Sequence, residues 1–90
     1  MTTLHMEVEV ARSTQSILAS SYQELTTLLS SMTSTVNGLQ PAWMGNSATQ
    51  FFDEYEQWRN AVTQLSEQLN TLSTRLQNEI NEWESAASGL

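Results

Sequence analysis

The chain of 90 residues contains no cysteine and no lysine, a single proline, a single histidine and three glycines. Without cysteine the chain has no disulfide framework, no thiolate metal site and no thiol redox chemistry, and it suits a reducing or an oxidising compartment equally. Three arginines against ten acidic residues leave a net charge of −7. Both nucleic acid and anionic membrane surfaces are bound through cations, so this charge balance argues against either partner.

Long apolar runs are also missing. No stretch approaches the roughly 20 apolar residues that a membrane-spanning helix needs, so the sequence predicts no membrane span. The N-terminal stretch "MTTLHMEVEV" has neither a basic region nor a continuous apolar core. We therefore expect no cleavable signal peptide, and an export route for this chain would have to read a different signal.

The sequence offers little for catalysis. His5 could form half of a metal site with Glu9, one helical turn away, but no third ligand is evident, and a solvated terminal histidine is the simpler interpretation. Nucleophile–base pairs and glycine-rich phosphate loops are absent from the sequence. The acidic runs "FFDEYE" and "NEINEWE" are typical of solvated helix faces. We predict a protein that is not an enzyme and that binds neither a cofactor nor a metal.

Apolar residues recur at alternating steps of four and three in two long segments, a spacing that keeps one face of a helix apolar. The first stripe, broken only by Gln15, is Leu4, Val8, Ala11, Leu18, Tyr22, Leu25, Leu29, Met32, Val36 and Leu39. The second, broken only at Glu79, is Ala48, Phe51, Tyr55, Trp58, Val62, Leu65, Leu69, Leu72, Leu76, Trp83, Ala86 and Leu90. The pattern predicts two long helices that pack against each other along these stripes.

The stretch "NGLQPAWMGNS" separates the two segments. Asn37-Gly38 is a good helix stop because both residues tolerate a left-handed conformation, and Pro41 disfavours helix at the residue before it. Ser47 and Gln50 fit a capping box. The sequence predicts an all-α helix-turn-helix hairpin as one domain over 1–90, with helices at about 6–38 and 47–86, a turn at 39–46 and a tail at 87–90. At ~1.5 Å per residue the two arms are about 50 and 60 Å long.

A hairpin of two helices is thin, and each predicted helix carries a second, weaker apolar stripe. This stripe comprises Val10, Ile17 and Leu28 on the first helix and Phe52 and Ile80 on the second, with Ser66 and Ser73 between the last two. We take these five apolar residues as the dimer face, because a second hairpin covering them would complete a four-helix bundle. The alternative is a monomeric hairpin with a few exposed apolar residues.

The turn and the C-terminal end are the candidate functional segments. Gly45 supplies a backbone conformation closed to other residues just before the second helix, and Trp43 folds over the end of the bundle as an apolar lid. A second role for Trp43 is docking to another protein. Glu82 and Glu84 lie where the helix dipole disfavours anions. They form either a solvated terminus or an acidic tail that, with Trp83 as its anchor, is offered to a basic groove.

A chain of about a hundred residues, two amphipathic helices and the central turn Trp43-Met44-Gly45 together resemble the WXG family of small ESAT-like proteins. Members of this family are exported by bacterial type VII secretion systems. The resemblance covers the whole chain, and Phe51 and Trp58 are similar to the aromatic pattern of the family's second helix.

The resemblance implies an antiparallel dimer, formed with itself or with a second WXG-type protein. It also implies passage from the cytoplasm to the outside of the cell without a cleaved signal peptide, driven by a membrane-bound ATPase of the FtsK/SpoIIIE kind. In the family, the Trp-x-Gly turn of one subunit and the C-terminal tail of its partner form a composite export signal. Trp43 and Gly45 match the turn.

The tail departs from the family pattern. The usual Tyr-x-x-x-Asp/Glu motif is missing, because neither Tyr22 nor Tyr55 has an acidic residue four positions later, and Trp83 is the nearest analogue. The tail signal is therefore altered, supplied by a different partner, or absent. The alternative function is an intracellular coiled-coil adaptor or export chaperone that is not itself secreted.

Overall fold

A computed structural model describes residues 6–88 of the chain. Over this part, two α-helices, α1 (Val8–Leu39) and α2 (Asn46–Ser88), are joined by a 3₁₀ helix at Gln40–Ala42. The helices pack against each other as an antiparallel hairpin with extents of 68 × 20 × 15 Å. The predicted all-α hairpin is confirmed.

The apolar stripe predicted for α1 is the face that packs against α2. Among the described members of the stripe, those from Val8 to Val36 are half-buried, and Leu39, at the end of the helix, is exposed. The first member, Leu4, lies outside the described residues. The polar residue of the stripe, Gln15, donates a hydrogen bond from Nε2 to the Ser73 Oγ at 3.0 Å. The polar side chain of Gln15 therefore has a hydrogen-bond partner on α2, although it interrupts the apolar stripe of α1.

The stripe predicted for α2 is wrong at one position in every heptad. Phe51, Trp58, Leu65 and Leu72 were expected between the helices, but all four are exposed. Most of the residues that are buried or half-buried follow the neighbouring stripe, which comprises Ala48, Phe52, Tyr55, Arg59, Val62, Ser66, Leu69, Ser73, Leu76, Ile80 and Trp83. The small side chains at positions 48, 66 and 73 let α1 approach closely, so the helices meet along them and the bulky side chains are left outside.

The ends of the helices differ from the predicted bounds by one or two residues. Helix α1 continues through Gly38 to Leu39 and then tightens into the 3₁₀ helix, which contains Pro41. Since positive φ occurs among the described residues only at Gly45, no left-handed stop forms at Gly38. Helix α2 begins at Asn46, which places Ser47 inside the first turn of the helix rather than at its cap.

Two side-chain hydrogen bonds set the register between the helices. Gln15 contacts Ser73, and the Thr33 and Tyr55 hydroxyls are 2.9 Å apart. The two contacts are separated by the same number of residues on α1 as on α2, so the register is constant between them. Residues of the two helices can therefore be assigned to common levels along the hairpin.

Candidate interaction site

The turn between the helices is built around a glycine with a positive φ angle. Gly45 has φ +111°, a value in the region that L side chains rarely adopt. A Cβ at this position would meet no atom within 4 Å, so glycine is required here for its backbone conformation rather than for space. The Gly45 carbonyl accepts the Thr49 backbone N–H at 3.1 Å and the Thr49 hydroxyl at 3.3 Å, which begins the hydrogen bonding of α2.

Trp43 packs on the first turns of α2. Its ring lies 5.4 Å from that of Phe51 and 5.8 Å from that of Phe52, centroid to centroid, and the two phenylalanine rings are 5.4 Å apart at 77°. These spacings and tilts are those that aromatic pairs prefer. We call Trp43, Phe51 and Phe52 the turn cluster. Trp43 is half-buried in it, whereas the neighbouring Met44 is 87% exposed.

One side of the hairpin is apolar and exposed. Large apolar side chains of both helices lie on it, all of them at least one third exposed, and we call this set the outward face: Val10, Ile17, Leu28, Phe51, Trp58, Leu65 and Leu72. The two helices contribute to one surface, because Leu28 and Trp58 line the same groove of about 140 Å³. Every residue of that groove is apolar, the others being Leu25, Leu29, Met32 and Val62.

The structure divides the five predicted dimer-face residues into two groups. Val10, Ile17 and Leu28 are exposed, as a contact face requires. The outward position predicted for Ile80 is wrong, since its side chain is 0% exposed and lies between the helices. Phe52 is half-buried in the turn cluster, so it also belongs to the inner stripe.

The contribution of α2 to the outward face was not predicted from the sequence. Phe51, Trp58, Leu65 and Leu72 recur at every seventh residue, and the stripe beside them contains Ser66 and Ser73. The signal that distinguishes the two stripes is side-chain size. The closest approach of two helices favours the stripe that carries small residues, and this consideration would have identified the outward residues from the sequence.

The opposite side of the hairpin carries a groove lined with hydroxyl groups. Its polar residues, which we call the hydroxyl groove, are Thr26, Ser30, Thr33, Ser34, Arg59, Thr63 and Ser66. The cation of this groove, Arg59, donates hydrogen bonds to the Glu56 carboxylate, and the contact lowers the pKa of Glu56. The two sides of the hairpin therefore differ sharply in polarity.

The candidate tail residues lie at the last turns of α2. Trp83 and Glu84 are half-buried, and Glu82 is exposed. Glu84 forms an ion pair with Arg12 near the start of α1, a contact that the sequence analysis did not anticipate. The pair ties the two ends of the hairpin together, so one of the two tail carboxylates already has a cationic partner. Positions 89 and 90 of the predicted tail lie outside the described residues.

His5, the candidate for half of a metal site, also lies outside the described residues. Within residues 6–88, no three histidine, cysteine, aspartate or glutamate side chains come together in a group that could hold a metal ion. In the same part of the chain, neither helix has a stretch long and apolar enough to cross a membrane.

Two features are now established, namely a Trp-x-Gly turn halfway along the chain and two long helices that pack as a hairpin around it. A family model described as "Proteins of 100 residues with WXG" matches residues 3–88, almost the whole chain. No curated protein and no solved structure matches this chain. The family match agrees with the resemblance inferred from the sequence, and the chain belongs to the WXG100 family.

Proposed function

We propose that this chain is an exported component of a type VII secretion system that works as a pair of hairpins and acts by binding other proteins. Family membership supports the connection with type VII secretion. The observation that supports the proposal is that small side chains are buried between the helices while large apolar side chains are exposed. The hairpin buries Ser66 and Ser73 at 3% and 4% exposure, while Trp58, Leu65 and Leu72 are left in contact with water.

Burial of the outward face supplies the energy for assembly. Fully burying one large apolar side chain contributes about 1.5–3 kcal/mol. The seven side chains of this face are already about half covered, at 37–62% exposure, so each contributes about half of that when a partner covers it. Their combined burial can offset the roughly 4–15 kcal/mol that association costs in lost freedom. A second hairpin is the natural cover, because two thin hairpins that meet on their apolar sides form a four-helix bundle. That hairpin is a second copy of the chain or another WXG-type protein.

We further propose that the turn is read by the export machinery. Met44 projects into solvent, while the turn cluster fixes the backbone on either side of it. In an antiparallel pair, the turn of one hairpin lies beside the C-terminal end of the other, where Trp83, Glu82 and Glu84 are found. This juxtaposition would offer both segments together to a membrane-bound ATPase of the FtsK/SpoIIIE kind.

The test compares two variants of the turn. Trp43→Leu keeps an apolar side chain on Phe51 and Phe52 but removes the indole and its N–H donor. We expect this variant to fold with a melting temperature close to that of the parent chain, yet to accumulate inside the bacterium. Gly45→Ala should lower the melting temperature, because φ +111° is strained for alanine by roughly 1–2 kcal/mol, and it should reduce export only as a consequence.

Export is measured as the ratio of protein in the culture medium to protein in the cells, in the parent strain and in a strain without the ATPase. Parent chain that remains in the cells of both strains would contradict export by this route. Normal export of a folded Trp43→Leu variant would contradict recognition of the indole while leaving the rest of the proposal intact.

The missing Tyr-x-x-x-Asp/Glu motif supports a second candidate, an intracellular adaptor or export chaperone. In that role the chain pairs through the same outward face but stays behind when its partner leaves. The same fractionation separates the two candidates: a secreted partner together with a retained chain would identify the chaperone.

A further inference from the structure

Helix α2 has one central stripe facing α1 and a set of residues on either side of that stripe. The central stripe comprises Ala48, Tyr55, Val62, Leu69, Leu76 and Trp83. We call the set packed towards α1 the inner flank: Phe52, Arg59, Ser66, Ser73 and Ile80. We call the exposed set the outer flank: Phe51, Trp58, Leu65, Leu72 and Glu79. Neighbouring residues of a helix are about 100° apart. A roll of α2 by roughly half that angle, about 50°, would therefore exchange the flanks and keep the central stripe in place.

The middle of α2 is better suited to the exchanged packing. The inner flank holds the charged Arg59 and the buried Ser66, whose Oγ has no hydrogen-bond partner within residues 6–88. The outer flank exposes Trp58 by 45% and Leu65 by 59%. A roll would bring the two polar side chains to water and cover the two apolar ones with α1. Both changes are favourable, since an unmatched buried polar group costs free energy and apolar burial gains it.

The turn allows either packing. The Trp43 ring lies 5.4 Å from that of Phe51 and 5.8 Å from that of Phe52, centroid to centroid. These two phenylalanines belong to opposite flanks. An aromatic ring can therefore lie beside Trp43 whichever flank faces α1.

The far end of the hairpin opposes the roll. There the Gln15 amide donates a hydrogen bond to Ser73 on the inner flank. Ile80 is 0% exposed, and its counterpart on the outer flank is the exposed Glu79. Exchanging these two would bring a carboxylate between the helices, which is unfavourable without a cationic partner. The packing in the structure is thus stabilised at the chain ends and by the close approach of the helices, while the middle of α2 favours the roll.

We propose that α2 rolls between these two packings, and that the hairpin presents the outward face only in the packing that the structure shows. The inference rests on the function proposed above, because the roll matters only if a partner covers that face. In the rolled packing α1 covers Trp58, Leu65 and Leu72, so the hairpin conceals part of its own binding surface. A partner binds one packing and shifts the population towards it. The apparent affinity is lowered by the fraction of chains that are rolled.

Single cysteines can report the roll, because the chain has none of its own. The background is Ile17→Asp, an outward-face substitution on α1 that should keep the hairpin unpaired without altering α2. Its mass by light scattering should be the 10.1 kDa of one chain. Twice that mass would mean that another face pairs, and the inference would fall with the outward face.

In this background Leu65→Cys and Ser66→Cys are labelled separately with a maleimide. The structure exposes position 65 by 59% and position 66 by 3%. If that packing were the only one, Ser66→Cys should react at least about tenfold more slowly, since buried thiols are inert. The roll predicts rates within about threefold of each other, because both positions are exposed for part of the time. Cysteine is less apolar than leucine and more apolar than serine, so both substitutions favour the packing in the structure and neither can produce this result.

Glu79→Leu should strengthen the roll, since it removes the carboxylate that opposes it. We expect the order of labelling to reverse, with Ser66→Cys becoming faster than Leu65→Cys. Asn78→Leu is the matched control. It makes an exposed position apolar next to Glu79 but outside both flanks, so it should leave the ratio of the two rates unchanged.

Tryptophan fluorescence gives a measurement that leaves both flanks intact around the probe. Trp43→Phe combined with Trp83→Phe leaves Trp58 as the only tryptophan of the chain. Its emission should move to shorter wavelengths when Glu79→Leu is added and should not move with Asn78→Leu. Where labelling and emission disagree, the emission decides.

The roll and the proposed function fail differently. Labelling that stays at least tenfold slower at position 66, together with an emission that Glu79→Leu does not change, would overturn the roll. Normal export of that chain would leave the secretion role in place. A chain that rolls but never reaches the culture medium would sustain this inference and overturn the secretion role.

Discussion

The two long sides of this hairpin are made by the same two helices, yet they differ in polarity. The outward face carries Trp58, Leu65, Leu72 and their neighbours, whereas the hydroxyl groove carries serine, threonine and Arg59. On a monomer, exposed apolar side chains scattered singly need no explanation, but a continuous set marks an interaction site. The difference between the sides therefore favours the outward face over the hydroxyl groove as the side that a partner protein would cover.

The largest effect should come from placing a charge on the side that is to be covered. Trp58→Asp puts an unpaired carboxylate within the proposed contact, where the loss of a buried aromatic anchor typically costs at least 2 kcal/mol. We expect the dissociation constant to rise at least about 100-fold, which corresponds to about 3 kcal/mol. The measurement is the mass by light scattering over a range of concentrations, with circular dichroism to confirm that the helices persist.

Ser30→Asp is the matched control, since it places the same carboxylate in the hydroxyl groove. We expect its mass and helicity to equal those of the parent chain. If both variants dissociate to the same extent, the contrast between the two sides has no bearing on assembly. If neither does, the partner binds somewhere other than the outward face.

A second comparison concerns the two buried serines between the helices. The Ser73 Oγ accepts a hydrogen bond from Gln15, whereas no partner for the Ser66 Oγ is found within residues 6–88. Ser73→Ala would remove the hydrogen-bond partner of the half-buried Gln15 amide between the helices, at a cost of about 0.5–1.5 kcal/mol in the free energy of unfolding. Ser66→Ala removes a buried hydroxyl for which the described residues offer no hydrogen-bond partner. The free energy of unfolding should therefore stay the same or rise by up to about 1 kcal/mol.

Both substitutions gain the same helix propensity from alanine, so the difference between them isolates the hydrogen bond. Denaturant unfolding monitored by circular dichroism gives both values, and Ser73→Ala should be the less stable variant. Equal stability of the two would show that the Gln15 contact contributes nothing to the hairpin. Gln15→Leu combined with Ser73→Ala tests the coupling, because removing both partners should recover much of the loss.

The local features of this chain could be predicted from its sequence, whereas the packing of its two helices could not. Helix, turn and family could be predicted because the four-three periodicity, Pro41 and the Trp43-Met44-Gly45 turn are local signals. The choice between two adjacent stripes of α2 could not be made from periodicity, since both recur every seven residues. That choice depends on how closely the helices approach, which side-chain volume sets: Ser66 and Ser73 allow the contact, and Leu65 and Leu72 do not. The Arg12–Glu84 pair depends on the register of the whole hairpin, which no local pattern carries.

The smallest expected effect concerns the one charge at the centre of the proposed contact. Glu24 is level with Leu65, about halfway along the outward face, so an antiparallel pair of identical chains that meet on this face would bring the two Glu24 carboxylates towards each other. Both are exposed, so their repulsion should cost only about 0.3–0.5 kcal/mol and should weaken with salt. Glu24→Gln is therefore expected to tighten the dimer about twofold in low salt. The advantage should disappear at about 0.5 M salt, where the Debye length is only a few ångströms.

Glu82→Gln is the control, because it removes the same amount of net charge at a distance from Glu24. It separates the local repulsion between the two Glu24 carboxylates from the general repulsion between two chains of charge −7. Equal tightening by both variants would place the two Glu24 side chains apart, and thus argue for a partner other than an antiparallel copy. A tightening specific to Glu24→Gln would locate the two-fold axis of such a pair at the level of Leu65 without any change to the apolar side chains that form the contact.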